Sequence, residues 1–201
     1  MGVFSMRDLK ECRSPTGRPG QGGNVKAKGF SLVELMVTVA VLAIVSAIAI
    51  PNFTSMINSN RLVSQANELV GVVQGARSEA IRYNQRVYVC SSSNGTTCSG
   101  SGTWNGWLVF LDRNRDAAPQ SAEILQRGTV RAPLQLTSAL GNGTFHFRPD
   151  GYARGASDAL LATSFRVCMA TNKPAENIRN IAISSGSRLT TTKANGGGTC
   201  S

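Results

Sequence analysis

From Phe30 to Ile50 the chain runs for 21 residues with a single charge, Glu34. As a helix at about 1.5 Å per residue, such a run is about 31 Å long, the thickness of a bilayer's hydrocarbon core. Lys26 and Lys28 precede it, and the next charge after it is Arg61. That asymmetry puts the N-terminus on the cytoplasmic side and the rest of the chain across the membrane. A carboxylate inside the mouth of an apolar span is unfavourable in lipid and marks a functional position. The chain is therefore expected to be anchored, and Glu34 needs a partner.

Residues 1–29 are rich in Gly, Pro, Ser and basic residues, with no apolar periodicity, and read as a disordered leader. Cutting the chain after Gly29 gives Phe30 a cationic amine. In an array of packed helices, Glu34 of one subunit can pair with that amine on its neighbour, which satisfies the charge on assembly and sets the axial register. Gly29-Phe30-Ser31-Leu32-Val33-Glu34-Leu35 resembles the type III signal of type IV pilins and pseudopilins. The resemblance implies cleavage between Gly29 and Phe30 by prepilin peptidase, followed by N-methylation of Phe30. Pro51 stands where this family often carries a helix-kinking proline. An ordinary secretory signal is the rival, with Ala47-Ile48-Ala49 imitating its cleavage site. The apolar run is longer than the usual stretch of about 7–15 residues, and Glu34 is out of place in it. A plain single-span anchor explains the length but not the spacing from glycine to glutamate. The leader is longer than those usual in the family, and Met6 offers an alternative start.

Beyond Pro51 the chain turns polar yet keeps helical spacing, with Leu62, Ala66, Leu69, Val70, Val73, Ala76 and Ala80 recurring every three or four residues. Arg61, Gln65, Glu68, Gln74, Arg77 and Arg82 are assigned to the rest of the circumference. One helix over 30–83 is expected, its first part in membrane or filament core and its second laying an apolar stripe on a head. From residue 86 the signals change to short strands, predicted over 86–90, 107–111, 122–126, 144–148, 163–170, 178–184 and 188–192. Gly, Pro, Asn and Ser separate them. The fold class is α+β, a long N-terminal helix on a small antiparallel β head. Four segments follow: a leader over 1–29, a transmembrane or filament-core helix over 30–51, an amphipathic continuation over 52–84, and a β-rich head over 85–201. Several stretches resemble the GspH/FimT group of minor pseudopilins: Ala76-Arg77-Ser78-Glu79-Ala80-Ile81 with Val87-Tyr88-Val89-Cys90, Trp104-Asn105-Gly106-Trp107-Leu108-Val109-Phe110 before Asp112, and Phe145-His146-Phe147-Arg148-Pro149-Asp150-Gly151.

Of the five cysteines, Cys12 falls in the leader, leaving Cys90, Cys98, Cys168 and Cys200. An even number outside the cytoplasm reads as two disulfides. Of the three connectivities, Cys90–Cys98 with Cys168–Cys200 is favoured, since the first closes a short loop and the second fastens the C-terminus. Zinc is the rival, but there is no C-x-x-C pair or nearby histidine to support it. The sole histidine, His146, alternates with Phe145 and Phe147 and so faces away from them on a strand. Nothing places a nucleophile beside it; no catalytic role, cofactor or metal is assigned. Asp112-Arg113-Asn114-Arg115-Asp116 with Glu123 at the twelfth place partly imitates a calcium loop. The sixth place is Ala117 instead of glycine, two arginines intervene, and the flanks look like strands, so a polar hairpin is the favoured reading.

The net charge is +10; six Lys or Arg against Asp8 and Glu11 in residues 1–29 leave +6 for the remainder. Solubility accounts for such a charge, and it also permits contact with nucleic acid or anionic lipid. Arg179, Arg188 and Lys193, with the hydroxyls of Ser184 to Ser187 and Thr190 to Thr192, are residue types that contact phosphate without reading sequence. Some FimT-type proteins bind DNA through a tail with a G-R-x-R pattern. Here Ser187-Arg188-Leu189-Thr190 stands at the similar place, with one arginine and no glycine. The leading reading is a minor type IV pilin that primes or caps a filament with other major and minor pilins, its head periplasmic and its anchor in the inner membrane. Capture of double-stranded DNA for uptake is the second reading. A pseudopilin of a type II secretion system, contacting exported proteins, is the third.

Overall fold

The computed structural model describes residues 29–100 and 102–200; most of the predicted leader, with Cys12, lies outside the described residues. The chain divides into two compact units, Met1–Ala43 and Ile44–Ser201, and helix α1 (Leu32–Tyr83) begins in the first and runs on into the second. In the first unit every described residue is exposed, so its apolar side chains offer a surface suited to lipid or neighbouring helices, not to water. Among the described residues, α1 is the one helix long and apolar enough to cross a membrane.

In the second unit α1 buries one stripe. Leu62, Ala66, Leu69, Val72, Val73, Ala76 and Ala80 are each at most 2% exposed, the spacing that sets side chains on one face. Val70 is only half-buried at the rim. Gln65, assigned by sequence to the solvated side, is buried. It lies on the same stripe between Leu62 and Leu69, and its Oε1 accepts the Arg131 N–H at 3.3 Å while its Nε2 donates to Glu68 at 3.2 Å. The helix ends on Asn84, whose φ is +53°. Gln85 N–H then reaches the Ala80 carbonyl and Asn84 N–H that of Ile81, both at 3.3 Å. This is a Schellman stop, with asparagine in the left-handed position.

Ten strands follow: β1 (Val87–Ser91), β2 (Thr103–Trp104), β3 (Gly106–Leu111), β4 (Ile124–Thr129), β5 (Leu134–Ser138), β6 (Thr144–Phe147), β7 (Ala153–Arg154), β8 (Thr163–Met169), β9 (Ile178–Ile183) and β10 (Leu189–Ala194). They form two five-stranded sheets, β4-β3-β1-β6-β7 and β10-β9-β8-β5-β2, and every pairing is antiparallel. The chain crosses between sheets at Asn105-Gly106. A Cβ on Gly106 would meet the Gly128 and Ser92 carbonyls, so the crossing needs glycine. β2, β5 and β7 are additions to the strands predicted by sequence, and β4 begins two residues later than expected and runs through Gly128.

The core lies between α1 and the inner faces of both sheets. Val87, Val89, Val109, Leu111, Phe145 and Phe147 come from one sheet and Leu136, Phe165, Val167, Ile181 and Ile183 from the other. Trp104 meets Phe165 edge-on at 5.3 Å and donates its Nε1–H to Ser138 at 3.0 Å. A second, smaller cluster, Tyr88, Cys90, Leu108 and Phe110, covers the outer face of the first sheet. β1 and β3 are therefore buried on both faces. The second unit is an α+β fold, helix α1 packed on antiparallel β-structure.

Candidate functional site

The start of α1 is set by its own residues. Ser31 Oγ accepts the Glu34 N–H at 3.2 Å, and the Ser31 carbonyl accepts the Leu35 N–H at 3.1 Å. Ser31 is thus the N-cap and Glu34 the third helical residue, the S-x-x-E arrangement of a capping box. The glutamate also stands where the helix dipole favours negative charge. Gly29 and Phe30 precede the helix in irregular backbone, Phe30 is exposed, and a Cβ on Gly29 would meet nothing within 4 Å. Among the described residues nothing packs over the bond between them. By contrast Ala47-Ile48-Ala49 lies inside continuous helix. The cap was readable in the sequence as serine followed three residues later by glutamate before an apolar run.

The three cations singled out for DNA do not converge. Arg179 is 2% exposed. On β9 it shares the parity of Ile181 and Ile183, so its side chain turns toward the helix, as alternation in a strand requires. There Nη1 donates to the carbonyls of Glu176 at 2.7 Å and Ile178 at 2.9 Å, and Nη2 lies 3.4 Å from Ser59 Oγ. Burial lowers its pKa, with Glu176 opposing. A guanidinium held this way is a structural group, which corrects its assignment as a DNA contact. Arg188 is exposed on the β9–β10 turn. Lys193 is exposed five residues along β10, roughly 17 Å at about 3.4 Å per residue, with the Glu176 carboxylate at 3.9 Å. Ser187, at the place of the pattern's glycine, takes φ +58°, and its Oγ accepts the Ala153 N–H at 2.7 Å. A tighter gathering of cations lies elsewhere: Arg86, Arg113, Arg115 and Arg148 line a cavity of about 300 Å³ beside the end of α1.

His146 faces away from Phe145 and Phe147, buried against Tyr88 at 4.8 Å. Its Nε2 is 2.9 Å from Asp158 Oδ1, and Asp158 is shared with Arg148 at 3.1 Å. Burial pulls the imidazole below its usual pKa despite that carboxylate. The neutral ring then donates Nε2–H to Asp158. Disulfides join Cys90 to Cys98 and Cys168 to Cys200. Asn177, wholly buried, holds the tail beside the second bond. Its Nδ2 donates to the Met169 and Thr199 carbonyls at 2.9 and 3.0 Å, and its Oδ1 accepts the Gly196 N–H at 2.8 Å. Among the described residues no three His, Cys, Asp or Glu side chains gather as a metal site. In the loop after β3, Ala117 takes φ +59°. The left-handed turn that sequence reasoning reserved for glycine is made there by alanine.

Residues 65–196 match the family model described as type II transport protein GspH, and residues 24–50 match the prokaryotic N-terminal methylation motif. Among solved structures the chain is similar to the type IV minor pilin FimU of Pseudomonas aeruginosa (strain PAO1). The two are 20% identical, covering 65% of this chain and 92% of that one, with a TM-score of 0.49. It is also similar to the minor pseudopilin EpsH from the type 2 secretion system of Vibrio cholerae, 12% identical, covering 66% of this chain and 97% of that one, with a TM-score of 0.48. No curated protein matches. With residues 65–196, more than half of the chain, within the family model, the protein belongs to the family of type II transport protein GspH.

Proposed function

We propose that this chain is a precursor cut between Gly29 and Phe30 by prepilin peptidase and methylated on the new Phe30 amine. It then enters a filament as a low-abundance subunit that primes or caps the tip. As a member of the GspH family carrying the methylation motif it is a minor pilin or pseudopilin, of a type IV pilus or a type II secretion system. Its part is structural. The observation that carries the proposal is the capped helix start: an exposed glycine–phenylalanine bond in irregular backbone, directly before an apolar span whose third helical residue is Glu34. In this reading residues 30–51 sit in the inner membrane and later in the filament core, residues 52–84 continue the helix, and residues 85–201 form a periplasmic head. Intact mass and N-terminal sequencing of membrane-extracted protein, with and without prepilin peptidase, test it. The expected product begins at N-methylated Phe30 only when the peptidase is present. An uncut chain, or one starting near Ile50, sinks the reading.

A second reading adds capture of double-stranded DNA. It is supported by the exposed Arg188 and Lys193 on the β9–β10 hairpin, and by the four-arginine cavity beside the end of α1. Phosphate neutralisation makes affinity fall with salt in proportion to the contacts made. Replacing Arg188 and Lys193 by glutamine flattens that slope if the hairpin binds DNA. An unchanged slope moves any binding away from the tail.

A further inference from the structure

We propose that the β3–β4 connection, residues 112–123, is a calcium-binding loop whose charged ligands are the carboxylates of Asp112 and Glu123. The two residues are 3% and 5% exposed. Asp112 Oδ2 and Glu123 Oε2 are each sealed from solvent without a hydrogen-bond partner. Burying an ionised carboxylate is costly unless it is paired or coordinates a metal. Two such oxygens at the two ends of one loop call for the same cation.

The loop aims them inward. Asp112 Oδ1 accepts the Ala117 N–H at 3.3 Å, and Glu123 Oε1 accepts the Arg113 N–H at 3.0 Å. Each carboxylate is thereby held by one oxygen beneath the loop's own backbone, with the other left over. The ends are tied together by Leu111 N–H donating to the Glu123 carbonyl at 2.9 Å. Asp112 and Glu123 are the first and twelfth places of a twelve-residue calcium loop, with Asn114 and Asp116 at the third and fifth. The sixth place, Ala117, already has the left-handed conformation such a loop turns on. Flanking strands in place of helices leave the spacing of the ligands untouched.

Arg113 and Arg115 stand at the second and fourth places, between the ligand positions, and both are exposed. With Arg86 and Arg148 they line a cavity that Asp112 also borders, yet none of the four guanidinium groups donates to either carboxylate in the hydrogen bonds and ion pairs of the described residues, where Arg113 reaches Glu123 through its backbone N–H alone. Asp116 is engaged by the Ala118 N–H, Gln120 and Asn114, so the charged ligands number two, and loop carbonyl and amide oxygens complete the shell. An all-oxygen, irregular set of this kind suits calcium and not zinc. With only two carboxylates free to bind, the affinity belongs with extracellular calcium modules, at about 10⁻⁴–10⁻³ M.

The test uses the mature full-length chain in detergent, titrated with calcium chloride by calorimetry and melted with calcium or magnesium at matched ionic strength. One calcium per chain is expected in that affinity range, with a rise in Tm that magnesium does not reproduce. Glu123→Gln and Asp112→Asn each weaken binding at least tenfold, while their calcium-free Tm is no lower than the parent's, since a buried charge is gone. If either variant fails to fold, the parent with chelator and with restored calcium still decides. No heat and no change in Tm up to about 10 mM calcium, well above the expected range, overturns the proposal. So does an undiminished response in folded Glu123→Gln.

Discussion

Replacing Cys168 and Cys200 together by alanine tests how the end of the chain is held. The bond joins residues 32 apart in sequence, whereas Cys90 and Cys98 are separated by 8. In the chain-entropy account, closing a loop of n residues removes about 2.1 + 1.5R ln n cal/mol/K from the unfolded chain. That gives about 3.7 kcal/mol at 25 °C for the longer loop and about 2.5 kcal/mol for the shorter one. The folded tail is not released by the substitution, because Asn177 still grips Gly196 and Thr199. The loss therefore comes chiefly through the unfolded state. Urea unfolding followed by tryptophan fluorescence reads it well, since Trp104 and Trp107 are both fully buried and shift to the red on exposure. Free energies extrapolated to water should be compared, not midpoints, because an uncrosslinked unfolded chain exposes more surface and steepens the slope. Removing Cys168–Cys200 should cost about 1 kcal/mol more than removing Cys90–Cys98. Equal losses, or the reverse order, refute the loop-entropy reasoning. Asn177→Leu in both backgrounds then measures coupling; two devices holding one segment should interact by about 0.5–3 kcal/mol.

Other expectations follow from single contacts. A Cβ on Gly128 falls inside the indole of its cross-strand partner Trp107, so Gly128→Ala should cost about 1–3 kcal/mol or more, with loss of near-UV circular dichroism; an unchanged Tm contradicts this packing. His146, held neutral by burial, binds its proton more readily in the unfolded chain. Stability should be level above about pH 6.5 and fall below it, by up to about 1.4 kcal/mol per pH unit, until the lowered folded pKa is passed. His146→Gln should flatten the curve between pH 7 and 5.5, and an equal slope in that variant assigns it to other groups. Arg179→Met should destabilise by about 1–3 kcal/mol, since the Glu176 and Ile178 carbonyls lose their donor, while leaving the salt dependence of any DNA binding unchanged.

Much of this was legible because it is periodic. The stripe from Leu62 to Ala80 repeats at helical spacing, and the same count places Gln65 on it, so its burial is readable once the stripe takes precedence over residue polarity. Arg179 is similar: a strand that buries Ile181 and Ile183 must turn Arg179 to the same side. β5 carries a plain alternation, Leu134 and Leu136 inward with Gln135 outward. β2 and β7 are two residues each, too short for any period to show, and exist because neighbouring strands offer them an edge. The roles of Asn177 and Ser187 were not legible. Each depends on a partner many residues away, Gly196 and Thr199 for one and Ala153 for the other, and nothing local marks them. In the loop after β3, the alanine at the sixth place concealed a turn that the backbone makes regardless.

The capped start of α1 bears on what maturation does. Ser31 and Glu34 close the helix by themselves, so a cut between Gly29 and Phe30 removes none of the bonds that begin it. On the proposed pathway, processing is silent for the fold and loud for the charge: a leader of net +4 is exchanged for one amine at the positive end of a helix dipole. Methylation keeps that charge. The matured anchor thus carries its cation and its anion within five residues, the amine of Phe30 just before the helix and the carboxylate of Glu34 in its first turn. A subunit can then accept a neighbour below through one and offer itself to a neighbour above through the other, which makes the finished end of this helix a polar coupling with a direction.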